Sequence, residues 1–117
     1  MKTRVLIVDD DGGTRHLLAL MFLVEGFDVV GEAENGLEAV RMAVETQPDL
    51  IVLDYRMPVM RGDEAARLLR ALVPDARIIA FSSVLESKPD WADAFLNKER
   101  VEEIMPLMTK VAPEVIR

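Results

Sequence analysis

Asp49-Leu50-Ile51-Val52-Leu53-Asp54-Tyr55-Arg56-Met57-Pro58 is the stretch that decides how this chain is read. Four consecutive apolar residues, Leu50 to Leu53, run straight into a carboxylate. A short continuous apolar run reads as a strand buried on both faces, at the centre of a parallel sheet. Asp54 then stands where that strand ends. In open α/β sheets the carboxyl ends of the strands are where ligands bind. A lone Asp in this place would be read as a helix cap or a turn residue, so the rest of the chain has to decide.

Upstream, Val5-Leu6-Ile7-Val8 is a second short apolar run, closed by Asp9-Asp10-Asp11 and Gly12-Gly13. It reads as a buried strand followed by a turn. Residues 14–25 read as a helix stopped by Gly26. Residues 27–33 form a strand of weaker pattern, expected near an edge. Asn35 is expected to cap a helix, with Glu38 as its capping-box partner. Leu37, Val40 and Val44 read as that helix's inward stripe, and the helix ends before Pro48. Downstream, residues 57–62 read as a loop and 63–73 as a helix with Ala66, Leu69, Leu72 and Val73 inward. Pro74-Asp75 is a turn, residues 77–81 a strand ending at Ser82-Ser83, and 92–97 a strand ending at Lys98. Residues 84–91 are polar and broken by Pro89, so the fourth helix is expected to be a turn or two at most, or absent. Residues 99–111 read as a last helix, kinked or broken at Pro106.

Strand and helix alternate about five times, which means a parallel sheet with helices on both faces. The expected fold is α/β, a doubly wound (βα)5 sheet of flavodoxin-like strand order 2-1-3-4-5 with a shortened fourth helix. With 117 residues and half of them hydrophobic, one domain spanning 1–117 is expected. There is no cysteine and a single histidine, which excludes disulfides, thiolate metal sites and any multi-histidine zinc site. A formal charge of −7 argues against a general nucleic-acid binder. The start of the chain lacks a signal-peptide plan, and its longest apolar run, 17–24, falls far short of the ~20 residues that span a bilayer. A soluble cytoplasmic protein is the expectation.

In a parallel sheet every strand ends on the same edge. That edge receives Asp9 and Asp10 from strand 1, Asp54 from strand 3, Ser82 from strand 4 and Lys98 from strand 5. Each alone reads blandly as a cap, a turn former or a solvated charge; together they make a site. Carboxylates packed together repel one another and call for a cation. An all-oxygen set favours Mg²⁺ or Ca²⁺ over zinc, and two or three carboxylates completed by waters suit Mg²⁺. A hydroxyl and a lysine facing the metal would hold an anion, and a phosphoryl group fits. Asp54 is the carboxylate able to act as nucleophile and form an acyl phosphate.

At these residues the chain resembles the receiver domain of bacterial response regulators, the CheY-like superfamily, over nearly its whole length. The resemblance rests on Asp9-Asp10, Asp54, Met57-Pro58, Gly62, Ser82 and Lys98. It implies that Asp54 accepts a phosphoryl group from a histidine kinase or a histidine phosphotransfer protein. It implies Mg²⁺ bound by Asp10, Asp54 and the backbone carbonyl of Arg56, with Asp9 acting partly through water. Ser82 would hydrogen-bond the phosphoryl group and move on activation, Phe95 would change rotamer with it, and Lys98 would pair with a phosphoryl oxygen. Such a protein is a switch, not a turnover enzyme, although it catalyses its own phosphorylation and slow hydrolysis. It would be a monomer or a phosphorylation-dependent dimer, either stand-alone or a receiver cut from a longer protein; as a stand-alone module, with no DNA-binding segment after residue 117, its output is expected through protein contacts.

The chain departs from the family's pattern in two places, and two further positions bear on access to the site. Glu99 follows Lys98 where the family has proline, so a trans bond is expected. The stretch from Ser82 to Phe95 is short, so the usual output face around helix 4 is not expected in its usual form. Ser83 is small enough to admit phosphate and water. Arg56 reads either as a solvated residue or as one that reaches over the entrance and alters the acyl-phosphate lifetime. The run Leu17-Leu18-Ala19-Leu20-Met21-Phe22-Leu23-Val24 is apolar almost all round. Burial between the sheet and the last helix is its expected use; the alternative is an interface, since helix 1 of the family contacts the kinase's helical bundle. His16 reads as an exposed helix residue.

Three other classes compete. An aspartate-nucleophile phosphatase would want a second Asp two positions after Asp54, where Arg56 stands. A flavin-binding protein would have to bring its phosphate against Asp9, Asp10 and Asp11. A phosphorylation-independent receiver-like docking module is the alternative that Glu99 and the short fourth helix keep open.

Overall fold

The computed structural model describes residues 2–112; Met1 and residues 113–117 lie outside them, as do the ends of the expected 1–117 domain. The order of elements is β1 (Arg4–Val8), α1 (Gly12–Val24), β2 (Asp28–Ala33), α2 (Gly36–Thr46), β3 (Leu50–Leu53), α3 (Gly62–Leu72), β4 (Arg77–Ser82), β5 (Ala94–Asn97), a 3₁₀ stretch (Lys98–Glu103) and α4 (Ile104–Val111). All strand pairs are parallel and the sheet runs β2-β1-β3-β4-β5, the order expected. β2 is an edge, as its weak pattern implied, and β3 is central.

Two cores explain why the strands read as unbroken apolar runs. Leu6, Val8, Ile51, Leu53, Ile78 and Ala80 face α2 and α3. Their alternates Val5, Ile7, Leu50, Val52, Ile79 and Phe81 face α1 and α4. Both faces are covered, so period-2 alternation disappears. Truncating Ile51 or Leu53 to Ala removes contacts worth about 2–5 kcal/mol.

The helices correct several expectations. Gly12 and Gly13 belong to the first turn of α1, because Asp11 caps it by accepting from Thr14 N at 2.9 Å. The apolar run of α1 is not buried all round. Leu18, Ala19 and Phe22 face the sheet, while Leu17, Leu20, Leu23 and Val24 are exposed, Val24 by 83%. Leu37 and Val44 are likewise exposed on α2, whose buried positions are Gly36, Ala39 and Ala43. Asn35 caps α2 as expected, but Glu38 reaches back to Glu34 N rather than to Asn35 N. Leu72 is exposed on α3, and Ala65, Ala66 and Leu69 fill the inward positions.

Near the C-terminus, β5 begins at Ala94 rather than at residue 92, and the expected single helix over 99–111 is two pieces. The break lies at Arg100 (φ −110°, ψ 36°), ahead of Pro106. Pro106 sits in the first turn of α4, where no intrahelical N–H bond is due and proline is tolerated. Between β4 and β5 there is no helix at all: residues 83–93 form bends and turns.

Candidate functional site

The strand ends bring the expected groups together. β1 delivers Asp9 (1% exposed) and the exposed Asp10, β3 delivers Asp54 (5% exposed), β4 ends in Ser82 (1% exposed), and Lys98 follows β5. The ladder continues one bond past the strands: Asp54 N donates to Val8 O, and Asp9 N to Ala33 O, both at 3.0 Å. The backbones beneath both buried carboxylates are therefore fixed by the sheet itself.

Each buried carboxylate divides its two oxygens in the same way. One oxygen accepts a backbone N–H: Tyr55 N to Asp54 Oδ1 at 2.8 Å, and Asp11 N to Asp9 Oδ1 at 2.9 Å. The other faces Lys98, whose Nζ lies 3.1 Å from Asp54 Oδ2 and 2.7 Å from Asp9 Oδ2. The ammonium also lies 5.9 Å from the centre of the Phe81 ring, a cation–π distance. From outside the strand ends, Arg15 of α1 donates Nη1 to the carbonyl of Asp9 at 2.5 Å and stands 3.7 Å from Glu32.

The electrostatics follow from burial and from this shortage of cations. Burial, reinforced by the charge of Asp9 and opposed by Lys98 and the Tyr55 N–H, pushes the Asp54 carboxyl up to about 6. Burial works to lower the Lys98 ammonium, but its contacts with Asp9 and Asp54 outweigh that and hold it above the ordinary lysine range. Carboxylate oxygens of Asp9, Asp10 and Asp54 all lie within 4.8 Å of one another. Among the described residues, the buried Asp9 Oδ2 has only the Lys98 ammonium beside it, at 2.7 Å. Three carboxylates, one lysine and a spare buried lone pair form an all-oxygen cluster that fits a hard divalent cation.

The remaining predicted residues surround this cluster. Ser82 Oγ accepts from Val84 N at 3.2 Å. Phe95, opposite Ala80 in the β4–β5 register, is half-buried against the core under α2 and α3. Arg56 lies in the loop after β3; its side chain is exposed and makes no ion pair among the described residues. Ser83 is exposed and Met57 is buried. Among the described residues no peptide bond is cis, so Lys98 and Glu99 are joined in trans as expected. His16 is exposed, with Nδ1 3.3 Å from Glu32 Oε1.

Gly62 closes the loop under the site. Its N–H donates to Tyr55 O at 2.8 Å, and any Cβ there would overlap the Asp54 carbonyl. Four groups at the site were not read from the sequence: the Tyr55 and Asp11 N–H donors, Arg15, and Phe81. Backbone donors carry no residue signature. Arg15, six residues after Asp9 and across a turn, has no periodic relation to it.

Residues 5–103 match the family described as the response regulator receiver domain. The chain is 40% identical over 84 residues to the chemotaxis protein CheY of Thermotoga maritima, covering 72% of this chain and 70% of that one. The response regulator TrrA of Thermotoga maritima, solved with Mg²⁺ and beryllofluoride, superposes with a TM-score of 0.84 at 33% identity, covering 95% of this chain and 99% of that one. A structure of TrrA in complex with the histidine kinase ThkA gives a TM-score of 0.83 at 33% identity, covering 95% and 98%. With its strand order, its acidic cluster and its lysine, the chain belongs to the response regulator receiver family, the phosphoacceptor modules of two-component signalling.

Proposed function

We propose that Asp54 is the phosphoacceptor and that its carboxylate attacks the phosphorus of a phosphohistidine on a histidine kinase or a histidine phosphotransfer protein. The P–N bond breaks, the electron pair returns to the imidazole, and an acyl phosphate forms on Asp54. The observation that carries this reading is a buried carboxylate at a strand end with an ammonium at 3.1 Å and two further carboxylates beside it.

Mg²⁺ is the metal that this donor set suits, held by Asp9, Asp10, Asp54 and the backbone carbonyl of Arg56; it would neutralise charge on the transferring group. The chain's own residues do the rest. Tyr55 N–H keeps the Asp54 carboxylate oriented. Lys98 exchanges a carboxylate oxygen for a phosphoryl oxygen, and Ser82 turns its hydroxyl toward the same group, with Phe95 following. The protein acts as a switch that catalyses only its own phosphorylation and hydrolysis. The exposed Leu17, Leu20, Leu23 and Val24 on α1 are the surface proposed for the kinase, as monomer or phosphorylation-dependent dimer. A cytoplasmic location and output through proteins rather than nucleic acid complete the reading; among the described residues no helix is long and apolar enough to cross a membrane.

Incubation with Mg²⁺ and acetyl phosphate, read by intact mass, tests it. One phosphoryl group is expected on the wild type and none on Asp54→Asn. No modification, or one that survives Asp54→Asn, would refute the assignment and favour the docking module.

A further inference from the structure

Residues 83–93 replace a helix with a strap, and the ties of that strap are unequal. At its far end it is bolted to the scaffold. Arg70 donates Nη2 to Trp91 O at 3.2 Å and pairs Nη1 with Asp93 Oδ2 at 3.1 Å, and Asp93 Oδ2 also accepts from Ile78 N at 2.8 Å. Lys88 Nζ donates to Ala92 O at 3.1 Å. At its near end, among the described residues, the polar tie is one bond, Val84 N to Ser82 Oγ, and Leu85 packs against the core under α2 and α3. Val84, Glu86, Ser87 and Lys88 between these ends are exposed.

A second route joins the strap to the site. The Trp91 ring stacks on Tyr55, with centroids 6.2 Å apart and planes 17° from parallel. Tyr55 is the residue after Asp54, and its N–H is the donor on Asp54 Oδ1. That bond is charge-assisted, and such bonds are roughly twice as strong as neutral ones. Converting Asp54 to an acyl phosphate removes the carboxylate charge that Tyr55 N–H binds. If Ser82 turned its hydroxyl oxygen away, Val84 N would lose the acceptor it now has at 3.2 Å.

We propose that the stacked Tyr55–Trp91 pair couples the chemical state of Asp54 to the strap of residues 84–93, which is the phosphorylation-responsive element of this protein in place of a helix. Trp91 is a positioning residue in this scheme: it touches neither the phosphoryl group nor the cation cluster. The proposal rests on Asp54 being the phosphoacceptor, and its test separates the two.

Trp91 is the chain's one tryptophan, so its emission reports the pair directly. The full chain is treated with Mg²⁺ and acetyl phosphate, and intact mass, Trp91 emission and amide exchange across 84–93 are recorded together. Formation of the acyl phosphate is expected to shift the emission and speed strap exchange; both changes should vanish in Asp54→Asn. Trp91→Leu should phosphorylate as wild type yet lose the exchange response. Tyr55→Phe, which keeps the ring, should retain it, and Tyr55→Ala should lose it. An acyl phosphate that forms with emission and strap exchange unchanged overturns the coupling alone. A preserved exchange response in folded Trp91→Leu and Tyr55→Ala does the same. Absence of any acyl phosphate overturns the reading of Asp54, and the coupling with it.

Discussion

Lys98 Nζ lies 3.1 Å from Asp54 Oδ2, and that contact is the main counterweight to a carboxylate buried beside another carboxylate. Replacing Lys98 with Met leaves Asp9 and Asp54 facing each other without it. Removing one partner of a buried charge cluster typically destabilises by about 3 kcal/mol. Urea unfolding of Lys98→Met in EDTA at pH 7.5 should show a loss of that order, largely recovered by Mg²⁺. No loss would mean the carboxylates are screened by solvent rather than by Lys98.

Asp54 gives the fold a pH dependence of defined sign. Its folded value of about 6 exceeds the ordinary 3.8, so between those values the folded chain keeps a proton that the unfolded chain has released. Stability therefore falls as pH rises through this window. Asp54→Asn, which cannot ionise, should be more stable than wild type above pH 6 in EDTA by up to about 3 kcal/mol, and the difference should disappear below pH 4. Paired denaturant titrations at pH 4 and pH 7.5 read this directly; parallel pH profiles for the two proteins would contradict it.

Gly62 bears on the site through its missing side chain. A Cβ there would meet the Asp54 carbonyl and lie 2.9 Å from Tyr55 Cα, so backbone must move. Gly62→Ala is expected to cost about 1–3 kcal/mol, the range for overpacking, and to slow phosphorylation by acetyl phosphate as well. A variant that loses stability but phosphorylates at the wild-type rate would show that the loop absorbs the clash without disturbing Asp54.

Val59 carries φ 72° and is 74% exposed. A β-branched residue in the left-handed region is strained, whereas Asn adopts it readily. Val59→Asn should raise stability by about 1 kcal/mol, the lower end of such strain, with a higher urea midpoint as the readout. An unchanged midpoint would place the balancing interaction in the loop itself.

The strands were legible because both their faces are covered. Leu50 to Leu53 has no polar alternate to confuse the period, and the residues closing each run stand at the sheet edge by topology alone. Asp9, Asp54, Ser82 and Lys98 could therefore be assembled before any coordinate. The helices were harder to read. Of the stripe Leu37, Val40 and Val44, only Val40 packs against the core, while Leu37 and Val44 are exposed; the inward positions of α2 are the small Gly36, Ala39 and Ala43, whose hydrophobic signal is weak. The same happened with Leu72, and with α1, where apolar residues on both faces mask which is buried. Hydrogen bonds from Tyr55 and Asp11 N–H could not be read at all, since every residue but proline offers the same donor.

The strap also bears on time. Displacing a helix is a collective motion of microseconds to milliseconds, whereas loops rearrange in nanoseconds to microseconds. A receiver whose moving part is residues 84–93 has no helical ladder to break or remake. Its shape then follows the covalent state of Asp54 without delay, and how long a signal lasts is governed by the hydrolytic half-life of one acyl phosphate bond.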